Sequence, residues 1–239
     1  MLKLEQKMNI FDIRQDPEVK VEYIEDSPIF TIDNFYKYPD KVYEYIFEEP
    51  LNEGIVGLWK INQKPSFNGI YFDDRRLSEF DERLFHIYFF LSNLIEDNNY
   101  TFRPEISTNA TLFKDDKDSL KFNNYIDNYW WPHIDYGYNG IVYFHDEWGT
   151  NLYSSELLDD YNEKENKGIN EHYEPWRPKN KYKLLKTLEP AYNRLVFFDG
   201  AKFPHGMNVT NDRYFGYEYR NNQVFFMDPP DEKIEYFCI

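Results

Sequence analysis

The side chains best suited to chemistry are His133 and Asp135, one residue apart in WWPHIDYG (130–137), and His205 in KFPHGMNV (202–209). In an extended strand residues i and i+2 leave the same face, so the His133 imidazole and the Asp135 carboxylate can converge on one point. Alone the spacing is weak, because a His-x-Asp step also serves as a surface or hydrogen-bonded pair. A second region strengthens it. NRLVFFDGAKFPHGMNVTNDRYFGYEYR (193–220) carries an apolar strand, a turn, His205 and, eight positions later, Arg213. Two imidazoles and one carboxylate on one face of a metal leave its other positions open, which is what an Fe(II) oxygenase needs for O2 and an oxidisable co-substrate. A nearby arginine then has a defined role, since its planar fork can take one end of a dicarboxylic acid whose other end chelates the metal.

Such residues need a rigid β scaffold to hold them. Beyond residue 104 the chain reads as short β-rich runs between polar turns: EISTNATLFK, YIDNYWWPHID, GIVYFHDE, TNLYSS, YKLLKTLEP, NRLVFFD, HGMNV, RYFGYEYR and QVFFMD. So many strands in a little over a hundred residues predict a sandwich or jelly roll. The polar stretch 159–181 reads as a long loop inserted between them. Upstream, 21–34 alternates like a strand, and YPDKVYEYIFEE (38–49) reads as a helix with Pro39 in its first turn. Residues 77–99 read as a second helix with Ser78 as N-cap and Glu82 near the capping-box position, and with His86 in a packing or surface role. The expected organisation is a single domain over 1–239: a strand-and-helix support region (1–104), then a β core (105–239) interrupted by the 159–181 insertion.

Composition narrows the classes. Mean hydropathy is −0.78, and no segment approaches the roughly 20 apolar residues of a spanning helix, so neither a membrane partner nor a secretory leader is expected and the cytoplasm is the expected compartment. Cys238 is the only cysteine, which excludes an internal disulfide and a cysteine-based metal site. A net charge of −16 without a visible basic patch makes a nucleic-acid backbone a poor partner. With 22 Tyr and 21 Phe the core has ample large side chains, and Trp130, Trp131 and Trp148, close to the motifs, suit either an entrance or packing.

These pieces taken in order resemble the Fe(II)- and 2-oxoglutarate-dependent dioxygenases, nearest to the prolyl-4-hydroxylase-like branch. PHID, IVYFHDEWGTNLY, NRLVFFDG, PHGMNV and DRYFGYEY follow that family's sequence of elements over roughly residues 105–227. Some phage-encoded oxygenases look similar. The resemblance implies a double-stranded β-helix (jelly roll, cupin-like) flanked by N-terminal helices, with Fe(II), 2-oxoglutarate and O2 as metal and co-substrates. It implies His133, Asp135 and His205 as iron ligands, Arg213 as anchor for the distal carboxylate of 2-oxoglutarate, and Tyr143 and, less directly, Tyr125 beside that carboxylate. Arg220 competes with Arg213; on one alternating strand the two would point to opposite faces, and Arg213 has the family's approximate distance from the histidine. His145, directly after Phe144, is expected to point away from the face that Tyr143 uses.

Halogenating relatives replace the carboxylate of the His-x-Asp with Gly or Ala, so the retained Asp135 implies a hydroxylase or another oxidative type. The substrate expected is an amino acid, a peptide or protein, or a small molecule, since the fold is shared across all of these. Two other readings fit the same residues: a jelly roll that binds without turnover, and a cupin-like metalloenzyme without 2-oxoglutarate, which would leave Arg213 without a role.

Overall fold

A computed structural model describes residues 8–48, 58–60, 75–77, 82–96, 100–102, 107–111, 125–157, 176–214 and 220–230. The chain opens with a hairpin, β1 (Val19–Ile24) and β2 (Ser27–Ile32), where the sequence reads as one strand. The two are joined by Glu25 and Asp26, both left-handed at φ 48° and 62°. Two such residues make the tight turn whose twist matches that of paired strands, and without glycine they leave little trace in the sequence. Helix α1 (Pro39–Glu48) begins at the expected proline. Short strands β3 (Leu58–Lys60) and β4 (Arg75–Leu77) pair with each other. Helix α2 (Phe85–Leu94) follows a 3-10 turn at Glu82–Leu84 and has no side-chain cap; Ser78, the expected cap, lies outside the described residues.

The further described strands pair antiparallel: β5 (Thr101–Phe102), β6 (Ser107–Thr111), β7 (Asn128–Trp130), β8 (Tyr138–Tyr143), β9 (Thr150–Leu157), β10 (Trp176–Pro178), β11 (Tyr182–Leu188), β12 (Arg194–Asp199), β13 (His205–Met207) and β14 (Arg220–Asp228). The larger sheet runs β1-β2-β12-β8-β14-β5, with β6 also on β14; the smaller runs β11-β9-β13. The end of the stretch expected to be a loop is therefore ordered, since Trp176–Pro178 pairs with Asn128–Trp130.

Period-2 alternation decides the layers. Val142, Phe144, Leu195, Phe197, Phe225 and Met227 leave one face of the larger sheet and pack with Val42, Leu84, Ile87 and Leu91 of the helices. The opposite face sends Ile141, Tyr143, Val196, Phe198 and Val224 against Leu152 and Leu188 of the smaller sheet. The arrangement is a mainly β, sandwich-like fold whose helices cover the outer face of one sheet. Asn193, at φ 61°, fastens the N-terminal segment to this frame: its amide accepts from Tyr36 N at 2.8 Å and donates to Tyr36 O at 3.0 Å. Among the described residues no helix is long and apolar enough to cross a membrane.

Candidate metal centre

The chain brings His133, Asp135 and His205 together: one ligand atom from each lies within 4.8 Å of the others. Backbone pairing does most of this. His133 N donates to His205 O at 2.9 Å and His205 N to His133 O at 2.8 Å, an isolated antiparallel bridge that joins the segment after β7 to β13. Asp135 N donates to Gly200 O at 3.1 Å, fixing the third residue to the turn after β12. Gly137, at φ 155°, allows the chain to enter β8 there, and a Cβ on it would lie 2.1 Å from Met227 O.

Each imidazole is oriented by its far nitrogen. His133 Nδ1 lies 2.9 Å from Trp131 O, and His205 Nδ1 lies 3.0 Å from Phe203 O. A carbonyl only accepts, so each Nδ1 carries the hydrogen and each Nε2 presents its lone pair inward in the neutral ring. Those lone pairs converge on one carboxylate oxygen: His205 Nε2 is 3.3 Å and His133 Nε2 4.0 Å from Asp135 Oδ2. Burial pushes the Asp135 carboxyl up, but a hydrogen bond from His205 and the charges of His205 and His133, which the rings carry only when protonated, together with the Asn139 amide outweigh it and hold the group well below the usual carboxylate range. A two-imidazole, one-carboxylate donor set with oriented rings and an ionised carboxylate fits a first-row divalent metal such as Fe(II).

The Trp-Trp-Pro step ahead of His133 is part of this construction. Trp131 is left-handed at φ 36°, which turns its carbonyl toward His133 Nδ1. Its ring lies under the Arg177 guanidinium at 4.4 Å, and Trp130 meets Trp176 edge-on at 5.1 Å. Gly206, next to His205, lets this backbone approach: a Cβ there would lie 2.2 Å from Trp130 O. Trp148 is buried against Val209 and Tyr214 and is a packing residue.

The inner face of β8 runs from Asn139, beside the His-Asp-His cluster, through Ile141 to Tyr143, where polar side chains gather again. Tyr143 is fully buried, and its hydroxyl lies 2.7 Å from Thr150 Oγ1; burial raises its pKa to about 12. Arg220 shares the face of Val224 on β14 and is also buried. Its Nε donates to Trp148 O at 3.1 Å and its Nη1 to Asn222 Oδ1 at 2.8 Å. Among the described residues no carboxylate pairs with it. Burial lowers its pKa to about 10, partly offset by Tyr143 and Tyr214, so it is a cation at neutral pH.

Arg213 sits elsewhere. It lies before β14, partly exposed, with Nη1 2.8 Å from Asp146 Oδ1 and 3.1 Å from Glu147 Oε1. The two arginines do not share a strand, so alternation does not relate them. Tyr125 packs beside the Trp148, Val209 and Tyr214 cluster. His145 faces the same way as Tyr143, as i and i+2 should, with ring centroids 5.3 Å apart and a buried ring; the expectation that it turns away is corrected. Burial, then the charge of Arg220, holds its pKa well below the ordinary histidine value.

Asn139 is the polar residue of the centre that motif reading does not bring forward, whereas Arg220 enters that reading only as the competitor of Arg213. Asn139 could have been found from its position four residues after Asp135, on the same inward face as Tyr143. Compared with known proteins, the chain matches no family model and no curated sequence.

Proposed function

We propose that the chain is an Fe(II)- and 2-oxoglutarate-dependent oxygenase with double-stranded β-helix topology, hydroxylating a C–H bond of an amino-acid, peptide or small-molecule substrate. The reading rests on one juxtaposition. A two-imidazole, one-carboxylate cluster lies beside Asn139 at one end of the inner face of β8, Tyr143 lies at the other end, and β14, paired with β8, buries a guanidinium with no carboxylate partner among the described residues. A buried cation left without an opposite charge is costly, so an anionic group beside it is favoured. A metal that leaves positions open for chelation, and an arginine beyond it, together suit a dicarboxylic 2-oxo acid.

In this reading His133 Nε2, His205 Nε2 and an Asp135 oxygen hold the metal, which when bound activates O2. Arg220 takes the role that the sequence suggested for Arg213. Its fork, with the Tyr143 and Thr150 hydroxyls, holds the distal carboxylate and so fixes which end of the co-substrate reaches the metal. One oxygen atom of O2 enters the substrate as a hydroxyl and the other enters succinate, with CO2 released. Ile141, Val196, Phe198 and Leu152, buried between the two sheets, keep this side of β8 apolar and exclude water from it. Arg213 instead steadies the loop after β8 through Asp146 and Glu147.

The test is succinate formation. Anaerobically iron-loaded protein is given 2-oxoglutarate and O2, and succinate is measured, including the slow turnover expected without a prime substrate. Succinate well above that of a His133→Ala, Asp135→Ala double variant is expected. Succinate at the level of that control removes the oxygenase reading, whether the chain is then a binding module or a metalloenzyme of another kind.

A further inference from the structure

Asn139 belongs to the first residues of β8, held on both sides: it is opposite Phe198 of β12 and Phe226 of β14. It is 2% exposed, and its side chain lies against Asp135 and His205, two of the candidate ligands. Nδ2 donates to Asp135 Oδ2 and lies 3.0 Å from His205 Nε2. The amide orientation follows from these partners, because the reverse would set a carbonyl oxygen against a carboxylate. The outcome is a buried Oδ1 with no hydrogen-bond partner. The turn after β12 leaves room for the amide and little else: a Cβ on Gly200 would lie 2.9 Å from Asn139 Cγ and Nδ2.

We propose that Asn139 is a positioning residue of the metal centre, holding the metal-facing oxygen of Asp135 so that the carboxylate binds through one oxygen only. This deepens the oxygenase reading and rests on the metal site that reading assumes. Asp135 Oδ2 is the carboxylate oxygen nearest to both imidazoles, so it is the oxygen that meets the metal. A carboxylate oxygen has two lone pairs and can take a metal and an N–H together. An imidazole nitrogen has one. The contact between Asn139 and His205 Nε2 therefore gives way when metal binds, while the bond to Asp135 persists. Before metal arrives, the same NH2 group spans Asp135 Oδ2 and His205 Nε2. It keeps these two ligands spaced. Restraint of the carboxylate to one oxygen keeps an additional coordination position open for chelation.

The experiment is Co(II) binding to the full chain under anaerobic conditions, followed by titration and by the visible absorption of the bound ion. Asn139→Ala and Asn139→Leu are expected to bind Co(II) about 10- to 100-fold more weakly, the usual cost of losing a partner that orients a ligand. Their spectra should also change in shape and intensity as the freed carboxylate swings to two-oxygen binding. Gly200→Ala, which keeps the amide but crowds it, should shift both readouts in the same direction, with thermal unfolding of the metal-free proteins as a check on folding. Affinity within twofold of wild type and an unchanged spectrum in all three variants overturns the assignment. Wild type that binds Co(II) but forms no succinate with iron sinks the oxygenase reading and leaves this one standing. Wild type that binds no metal sinks both.

Discussion

His133 and His205 face each other as a hydrogen-bonded antiparallel pair, each donating its backbone N–H to the other's carbonyl, and their rings are 4.5 Å apart between centroids. In such a pair the Cα spacing is set by the ladder at about 5.5 Å, not by the side chains. The two imidazoles thus start from fixed points, and the backbone carbonyls of Trp131 and Phe203 set their rotation. Much of the work of forming a metal site is done before any metal arrives.

Metal should therefore stabilise the protein by mass action. With free metal at about 100 times its dissociation constant, the gain is about 2.7 kcal/mol, seen as a rise in Tm that a chelator reverses. His133→Ala and Asp135→Ala should abolish the rise. An equal rise in those variants would place the bound metal elsewhere.

The two arginines separate cleanly in binding. Arg220→Lys keeps a charge but loses the fork, and should weaken 2-oxoglutarate binding to the metal-loaded protein roughly 10- to 100-fold, the equivalent of one charged hydrogen bond. Arg213→Ala should leave that affinity within about twofold, because its partners are Asp146 and Glu147. Calorimetric titration with 2-oxoglutarate reads both; the reverse order would return the anchor to Arg213.

Gly206 is predicted to be intolerant of a side chain. A Cβ would strike Trp130 O at 2.2 Å and Trp131 O at 3.0 Å, forcing β13 away from the segment that holds His133. Gly206→Ala should cost about 1–3 kcal/mol in denaturant unfolding and also weaken metal binding. Normal stability and normal affinity would show that the two backbones are not in contact.

One carboxylate gives a pH signature away from the centre. The hydrogen bond from Arg194 Nε to Asp33, 2.6 Å long, and then the bond from Lys20 hold Asp33 below its ordinary value of 3.8 against the opposing effect of burial. A carboxyl whose pKa is lower in the folded state contributes stability above its unfolded value and loses it as pH falls through the folded one. The pair is partly exposed, so the contribution is at most about 1 kcal/mol. Wild type should exceed Asp33→Asn in stability at pH 6 and lose that margin below about pH 4 in urea titrations. A difference that does not change with pH would assign the effect to packing.

What the sequence made legible follows strict local rules. His133 and Asp135 share a face because strands have period 2, and the apolar runs of β8, β12 and β14 alternate as a two-faced sheet must. Rules that depend on partners are harder to see. The Glu25-Asp26 turn uses left-handed residues without glycine, so one alternating run conceals a hairpin. Trp176–Pro178 is a strand because Asn128–Trp130 lies beside it, and nothing in its own three residues says so. The His145 expectation failed on a parity count, since positions 143 and 145 agree. Arg213 drew attention by its distance from His205, but burial of a guanidinium depends on where β14 begins, and the residue buried there is Arg220. Asn139 has no motif; its importance comes from Asp135 and His205 folding against it.

The bridge between His133 and His205 has a further consequence for a chain whose lone cysteine, Cys238, excludes an internal disulfide. A metal held by residues so far apart along the chain closes a long loop, and so acts as a reversible cross-link. It would tie the β7 segment to β13 and limit how far the two halves of the β core separate when the protein opens. Loss of the ion would then be felt as faster hydrogen exchange along β13 and the His133 segment, well before any change in the helices behind the larger sheet.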